Sequence, residues 1–199
     1  MRRRLCALMM ILPLLAGCSG GEQGGGDPAE ELALQIRTEY LAMTACAAAV
    51  EITADYGQRV YEYAMTFSWQ KDGETLLTVV SPENIAGITA RIRDGSTTLE
   101  YDGASLETGQ LSAEGLSPME AVPALLEYIF SGFIAECDLE TVDASQQLWI
   151  CCREPENSPG TGTEAAFWFD ADSHALVRAE VLSDGYTVIQ CVFTEFTKE

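Results

Sequence analysis

The sequence predicts an α+β domain, one large curved antiparallel β-sheet with helices packed on one side. Three observations carry this. Long stretches alternate between apolar and polar residues, the mark of strands with one buried face. Asp-Gly pairs punctuate them in Lys71-Asp72-Gly73, Arg93-Asp94-Gly95, Tyr101-Asp102-Gly103 and Ser183-Asp184-Gly185, each a hairpin signal. Two segments, near residues 29–44 and 117–132, switch to helical spacing, so the helices interrupt the meander without alternating with it.

Ala29 to Thr44 reads as the first helix. Asp27 or Pro28 opens it, Glu30 and Glu31 sit in its first turn, and Leu32, Ile36, Tyr40 and Met43 recur on one face. Period two begins at Cys46 and runs through Ala48, Val50, Ile52, Ala54 and Tyr56 to Gly57. The next strand, YEYAMTFSWQ over 61–70, sets Tyr61, Tyr63, Met65, Phe67 and Trp69 on a single face. Leu76 to Ser81, the Ile88–Ile92 and Thr97–Tyr101 alternations, and a short strand through Leu106 complete about six strands. Ser117-Pro118-Met119-Glu120 then opens a helix, with a capping residue, proline at its first position and an acid in its first turn. Met119, Val122, Leu125, Leu126, Ile129 and Phe130 make it apolar enough to require burial, most simply over the aromatic face of the first strands. Pro123 inside it predicts a kink or restart. Strands resume at Gln147–Arg153, Glu164–Asp170, Ala175–Leu182 and Tyr186–Phe196, about ten in all.

The N-terminus reads differently. Arg2-Arg3-Arg4 precede an apolar run of 11 residues, Leu5 to Leu15. A span needs about 20 residues, so the run suits a signal peptide. It ends in Leu15-Ala16-Gly17-Cys18, which resembles the lipobox of bacterial lipoproteins. That resemblance implies cleavage before Cys18 and a diacylglyceryl group on its sulfur. Gly-rich residues 19–28 cannot bury enough apolar area to order themselves and read as a tether. The expected division is a signal peptide over 1–17, a lipidated tether over 18–28 and one domain over 29–199.

Charge narrows the partners. The chain has 11 basic and 31 acidic residues, and loss of Arg2, Arg3 and Arg4 would move the balance from −20 to −23. Such a surface repels nucleic acid and anionic headgroups. Membrane attachment is therefore expected from the lipid on Cys18, whose two or more acyl chains suffice where one is marginal. Beyond Cys18 stand Cys46, Cys137, Cys151, Cys152 and Cys191. An exported chain permits disulfides, and the odd number leaves at least one thiol over. A bridge from Cys137 to Cys151 or Cys152 and no bridge at all both remain open. No ligand spacing suggests zinc, and no cofactor is expected.

Catalysis finds little to work with. The single histidine, His174, is expected to be a solvated turn residue, with no G-x-S-x-G to accompany it. Asp170-Ala171-Asp172 lacks the glycine that a calcium loop needs at its sixth position, where Ala175 stands, and reads as a hairpin turn. No enzyme activity is expected.

Lipobox, tether, leading helix, meander, apolar helix and second meander together resemble the LolA/LolB-like lipoproteins. The features that carry the likeness are the strand ending in Ser81-Pro82, the Arg93-Asp94-Gly95 turn before Leu99-Glu100-Tyr101, and Phe167-Trp168-Phe169-Asp170 before Leu176-Val177-Arg178-Ala179-Glu180. The resemblance implies an unclosed barrel with helices as a lid on an apolar concave face. It also implies an extracytoplasmic, lipid-anchored location. Carriers of this family hold acyl chains on that face, whereas germination lipoproteins of spore formers act through protein partners in cortex breakdown. Two roles follow for Tyr61, Tyr63, Met65, Phe67 and Trp69 with Met119, Leu126 and Phe130. They form either the packed core of a scaffold shown to an envelope partner, in wall or spore-cortex processing, or the cradle of a lipid carrier.

Overall fold

The computed structural model describes residues 27–109 and 114–199. The expected signal peptide and all of the tether before Asp27, including Cys18, lie outside these residues. Within them the fold is an unclosed barrel, a single antiparallel sheet of eleven strands carrying two α-helices.

The chain opens with α1 (Pro28–Ala42), capped by the Asp27 carboxylate, which accepts from the Ala29 N–H at 3.0 Å. The strands β1 (Ala45–Asp55), β2 (Val60–Gln70), β3 (Thr75–Ser81), β4 (Thr89–Arg93), β5 (Ser96–Tyr101) and β6 (Ala104–Gly109) form the first meander. Helix α2 (Pro118–Ser131) follows, and β7 (Ile134–Val142), β8 (Ser145–Arg153), β9 (Thr163–Asp170), β10 (Leu176–Ser183) and β11 (Tyr186–Lys198) form the second. The order across the sheet is β6-β5-β4-β3-β2-β1-β11-β10-β9-β8-β7. The C-terminal strand thus pairs with the first one, Ile52 opposite Cys191, and joins two hairpin stacks into one surface.

The turns follow the sequence. Asp72, Asp94, Asp102 and Asp184 have φ of 56°, 50°, 48° and 49°, the left-handed conformation that hairpin turns demand and Asp tolerates. β7 lies outside the expected strands; it occupies residues between α2 and Gln147, for which the sequence pattern predicts no element.

Helix α2 also departs from expectation in two ways. It runs unbroken through Pro123, which sits early enough that only one helical turn precedes it. And it crosses the middle of the sheet, against β1, β11 and β10 as well as α1, instead of lying mainly on the first strands. The β1–β11 pairing creates this central floor, and a pairing so distant in sequence leaves no local signal. Arg37 of α1 secures the helix: its guanidinium donates to the Ile129 carbonyl at 3.0 Å and the Tyr128 carbonyl at 3.4 Å. Both belong to the last turn of α2, where backbone donors run out; the Tyr128 carbonyl also accepts from the Gly132 N–H at 2.9 Å.

The opposite face of the sheet has no second layer among the described residues and is covered by long polar side chains. Arg178 lies 4.6 Å from the ring centre of Trp168 and pairs with Glu180. Arg153 bridges Glu136 at 2.7 Å and Glu164 at 3.6 Å. These contacts account for the burial of Glu164 and Glu180 on a face without an apolar cover.

Candidate functional site

The concave face is the expected site, and the β2 stripe divides along its length. Met65 and Phe67, opposite Val50 and Ala48 of β1, are 2% and 3% exposed. Trp69 is half-buried, with its ring centre 5.5 Å from that of Phe130. Leu126 is buried in the same core, and Met119 is half-buried in the first turn of α2. At the other end Tyr63 is half-buried and Tyr61 is exposed, its ring 6.2 Å from that of Tyr56. The eight residues therefore do not form one cradle. Met65, Phe67 and Leu126 join the core, Trp69 and Phe130 close one end, and the tyrosines stand at the rim.

What fills the concavity comes largely from outside that set. Tyr40 of α1 is fully buried, 5.4 Å from Phe169 and 5.9 Å from Phe196 between ring centres. Burial raises its phenol far above the usual range, and its hydroxyl donates to the His174 carbonyl at 3.1 Å. The helical spacing of Ile36 and Tyr40 marks an inward face, but not that this face plugs the sheet. One void between the helices and the floor, lined by Ile36, Ile129, Ile134, Ile150 and Phe167, measures about 10 Å3. That is about the smallest space able to hold one water, against roughly 300–1,000 Å3 for a typical ligand pocket.

His174 is not the solvated turn residue expected. It lies half-buried with φ 58°, its Nδ1 2.9 Å from the Glu39 carboxylate, which also takes Lys198 Nζ at 2.8 Å. Hydrogen bonds from Lys198 and then His174 hold Glu39 down to about 2. The cluster ties α1 to the β9–β10 turn and to the end of β11. All five cysteines from Cys46 onward are free thiols. The open question of a bridge from Cys137 to Cys151 or Cys152 thus resolves against one: in the β7–β8 ladder Cys137 stands opposite Ile150, Cys151 opposite Glu136 and Cys152 opposite Ile134. Burial pushes Cys46 up to about 12 and Cys152 up to about 11.

A larger hollow of about 720 Å3 lies elsewhere, along the outer edge of β7. Its floor is the continuous run Ile134–Asp138, with Glu30, Ala33 and Leu34 of α1 on one side and Trp149 on the other. Asp27, Glu30, Glu136 and Asp138 line it, and among the described residues no basic side chain does. Sequence reading missed it because it missed β7. The available signal was the alternation of Ala135, Cys137 and Leu139 with Glu136, Asp138 and Glu140.

No protein-family model matches the chain, and no curated protein does. Solved structures do. The chain is similar to an uncharacterized conserved protein from Thermus thermophilus, at 10% identity, covering 87% of this chain and 88% of that one with a TM-score of 0.52. It is also similar to a DUF1329 family protein from Desulfovibrio piger, at 12% identity over 87% and 94% of the two chains with a TM-score of 0.49. A LolA superfamily protein from Nitrosomonas europaea shares 8% identity over 87% and 94%, with a TM-score of 0.44. At these identities the likeness is one of fold.

Proposed function

We propose that this chain is a non-catalytic lipoprotein, held at the outer side of a membrane by lipid on Cys18, that presents its sheet and helices to a protein partner of the cell envelope. The LolA/LolB-like resemblance of its sequence suggests wall or spore-cortex processing as the setting. The observation that supports a scaffold over a carrier is the filled concavity. Tyr40, Met65, Phe67, Leu126 and Phe169 belong to one packed core, and the void beside it under α1 and α2 measures about 10 Å3, so an acyl chain could enter that concavity only if α1 or α2 lifted away. Lifting would expose core whose burial contributes roughly 1.5–3 kcal/mol for each large apolar side chain.

Two measurements on the full chain, purified in mild detergent, decide the matter. Native and denaturing mass spectra report any lipid beyond that on Cys18, and a fluorescent fatty acid titration reports saturable binding. In parallel, photo-crosslinking from exposed positions in cells captures a partner. An empty interior with a discrete crosslinked protein is expected. Stoichiometric lipid in the interior would replace this reading with the carrier.

A further inference from the structure

The sheet does not close, and one of its two open edges is β7, which among the described residues pairs with β8 and no other strand. The hairpin register determines which backbone groups face outward there. A two-residue turn, Asp143-Ala144, both with positive φ, closes on the pair Val142–Ser145. In such a hairpin the closing pair exchanges both hydrogen bonds, and bonded pairs then recur at every second residue. Glu140 and Asp138 therefore bond to β8, while Thr141, Leu139 and Cys137 direct N–H and C=O outward. The Leu139 N–H agrees with this count, because it donates to Asp138 Oδ1 at 2.8 Å. A side-chain carboxylate occupies a place that a neighbouring strand's carbonyl would take.

The surroundings select what could add there. The hollow is floored by the β7 backbone from Ile134 to Asp138 and walled by α1, with exposed Leu34 on its lip, and the open edge continues past it through Leu139 and Thr141. Glu136 is neutralised by Arg153 from the sheet side. Among the described residues, Glu30 has no cationic partner and Asp138 meets only the Leu139 N–H. The field is felt at Cys137, whose thiol is raised by burial first and then by Glu30, Asp27 and Asp138. Like charges make this edge repel a second copy of a chain as acidic as this one, a common protection of open edges. The same charges attract a cationic strand, so one device excludes self-association and favours a basic partner.

We propose that the β7 edge accepts an extended, lysine- or arginine-bearing segment of a partner protein as a twelfth strand. Its main chain bonds Cys137, Leu139 and Thr141, displacing the Asp138 carboxylate, while its cations meet Glu30 and Asp138. This rests on the partner-binding reading above and gives that partner its chemistry and its place.

The test uses the full chain in detergent and a fluorescent nine-residue peptide of alternating lysine and valine. Anisotropy is expected to show saturable binding that weakens with salt, and that falls at least tenfold in Glu30→Lys or Asp138→Lys. Thr141→Pro removes one outward donor at an edge position where proline is tolerated and should weaken binding with the fold intact by circular dichroism. The same peptide N-methylated at alternate amides should not bind, and hydrogen exchange should slow at Cys137, Leu139 and Thr141. Absence of binding, binding that survives N-methylation, or protection elsewhere overturns the proposal. A crosslinked cellular partner mapped away from β7 would overturn it and spare the scaffold reading. Lipid filling the interior alongside strand binding at β7 would do the reverse.

Discussion

The Arg37 guanidinium donates to the Ile129 carbonyl at 3.0 Å, and through that contact α1 holds the last turn of α2. The two residues are far apart in sequence, and the bond supplies a donor where the helix has none of its own. It also places a cation at the negative end of the helix dipole. Replacing Arg37 by Met keeps the apolar stem and removes the side-chain donor to the Ile129 carbonyl, while the Tyr128 carbonyl keeps the Gly132 N–H at 2.9 Å. We expect a loss of about 1.5–3 kcal/mol, the usual worth of a hydrogen bond to a charged group, read from urea unfolding. Lysine should recover part of it, since it keeps the charge without the forked donors.

The Glu39 cluster makes acid stability depend on one carboxylate. Its folded value is held at about 2 by Lys198 and His174, below the ordinary 4.5. A depressed carboxylate stabilises the fold fully above its unfolded value and loses that contribution as pH falls from about 4.5 through 2. Glu39→Gln should therefore flatten the fall in stability over that window in pH-dependent urea titrations. Because the carboxylate is partly solvated, the cost at neutral pH should stay under about 1 kcal/mol. An unchanged acid profile would remove the cluster from the account of acid stability.

The β2 stripe should respond to substitution in a graded way. Phe67→Ala empties space in a filled core and should cost about 3–5 kcal/mol. Met65→Asp buries an unpaired charge and should abolish folding, so loss of lipid in that variant would say nothing about a ligand. Tyr61, exposed at the rim, should tolerate serine within about 0.5 kcal/mol. Thermal unfolding of the Phe67 and Tyr61 variants, with circular dichroism for the Met65 variant, measures the gradient, and equal effects at Tyr61 and Phe67 would contradict the division of the stripe into core and rim.

Much of this was legible because local rules govern it. Alternation gave the face of Met65 and Phe67, and the Asp-Gly pairs gave four of the turns. The position of α2 was not legible, because its floor is made by β1 pairing with β11 from the far end of the chain. His174 looked like a surface residue because its partners, Glu39 and Lys198, come from distant elements. β7 escaped for another reason. Its inward face is thin, with Cys137 and Leu139 only half-buried, and its outward positions are acidic, as an open edge strand requires. The segment that carries the proposed partner site is thus the one whose pattern is weakest.

Thiol reactivity gives an independent view of the packing. Cys46, Cys151, Cys152 and Cys191 are buried and Cys137 is half-buried beside the β7 groove. All five thiols are raised by burial, so none is activated as a thiolate. Iodoacetamide labelling near neutral pH, mapped by peptide mass spectrometry, should mark Cys137 slowly and the other four only on unfolding. Rapid labelling of Cys152 would mean that the contact of Arg37 with α2 opens readily.

Thr97 supplies the sharpest test of the core. It is 1% exposed, and its hydroxyl has no hydrogen-bond partner among the described residues, although its backbone carbonyl accepts from Thr108 Oγ1 at 3.3 Å. β-Branching suits it to β5, so the methyl group serves the strand while the hydroxyl loses its water for nothing in return. An unpaired buried hydroxyl costs about 1–3 kcal/mol by mutational measure. Valine has nearly the same shape without that cost. Thr97→Val should therefore stabilise the protein, by about 1 kcal/mol once imperfect packing of the new methyl is allowed for. The expected signature is a higher urea midpoint with an unchanged slope. A lower midpoint would mean that the hydroxyl is paired in solution, and that the β4–β6 end of the sheet is wetter than its burial suggests.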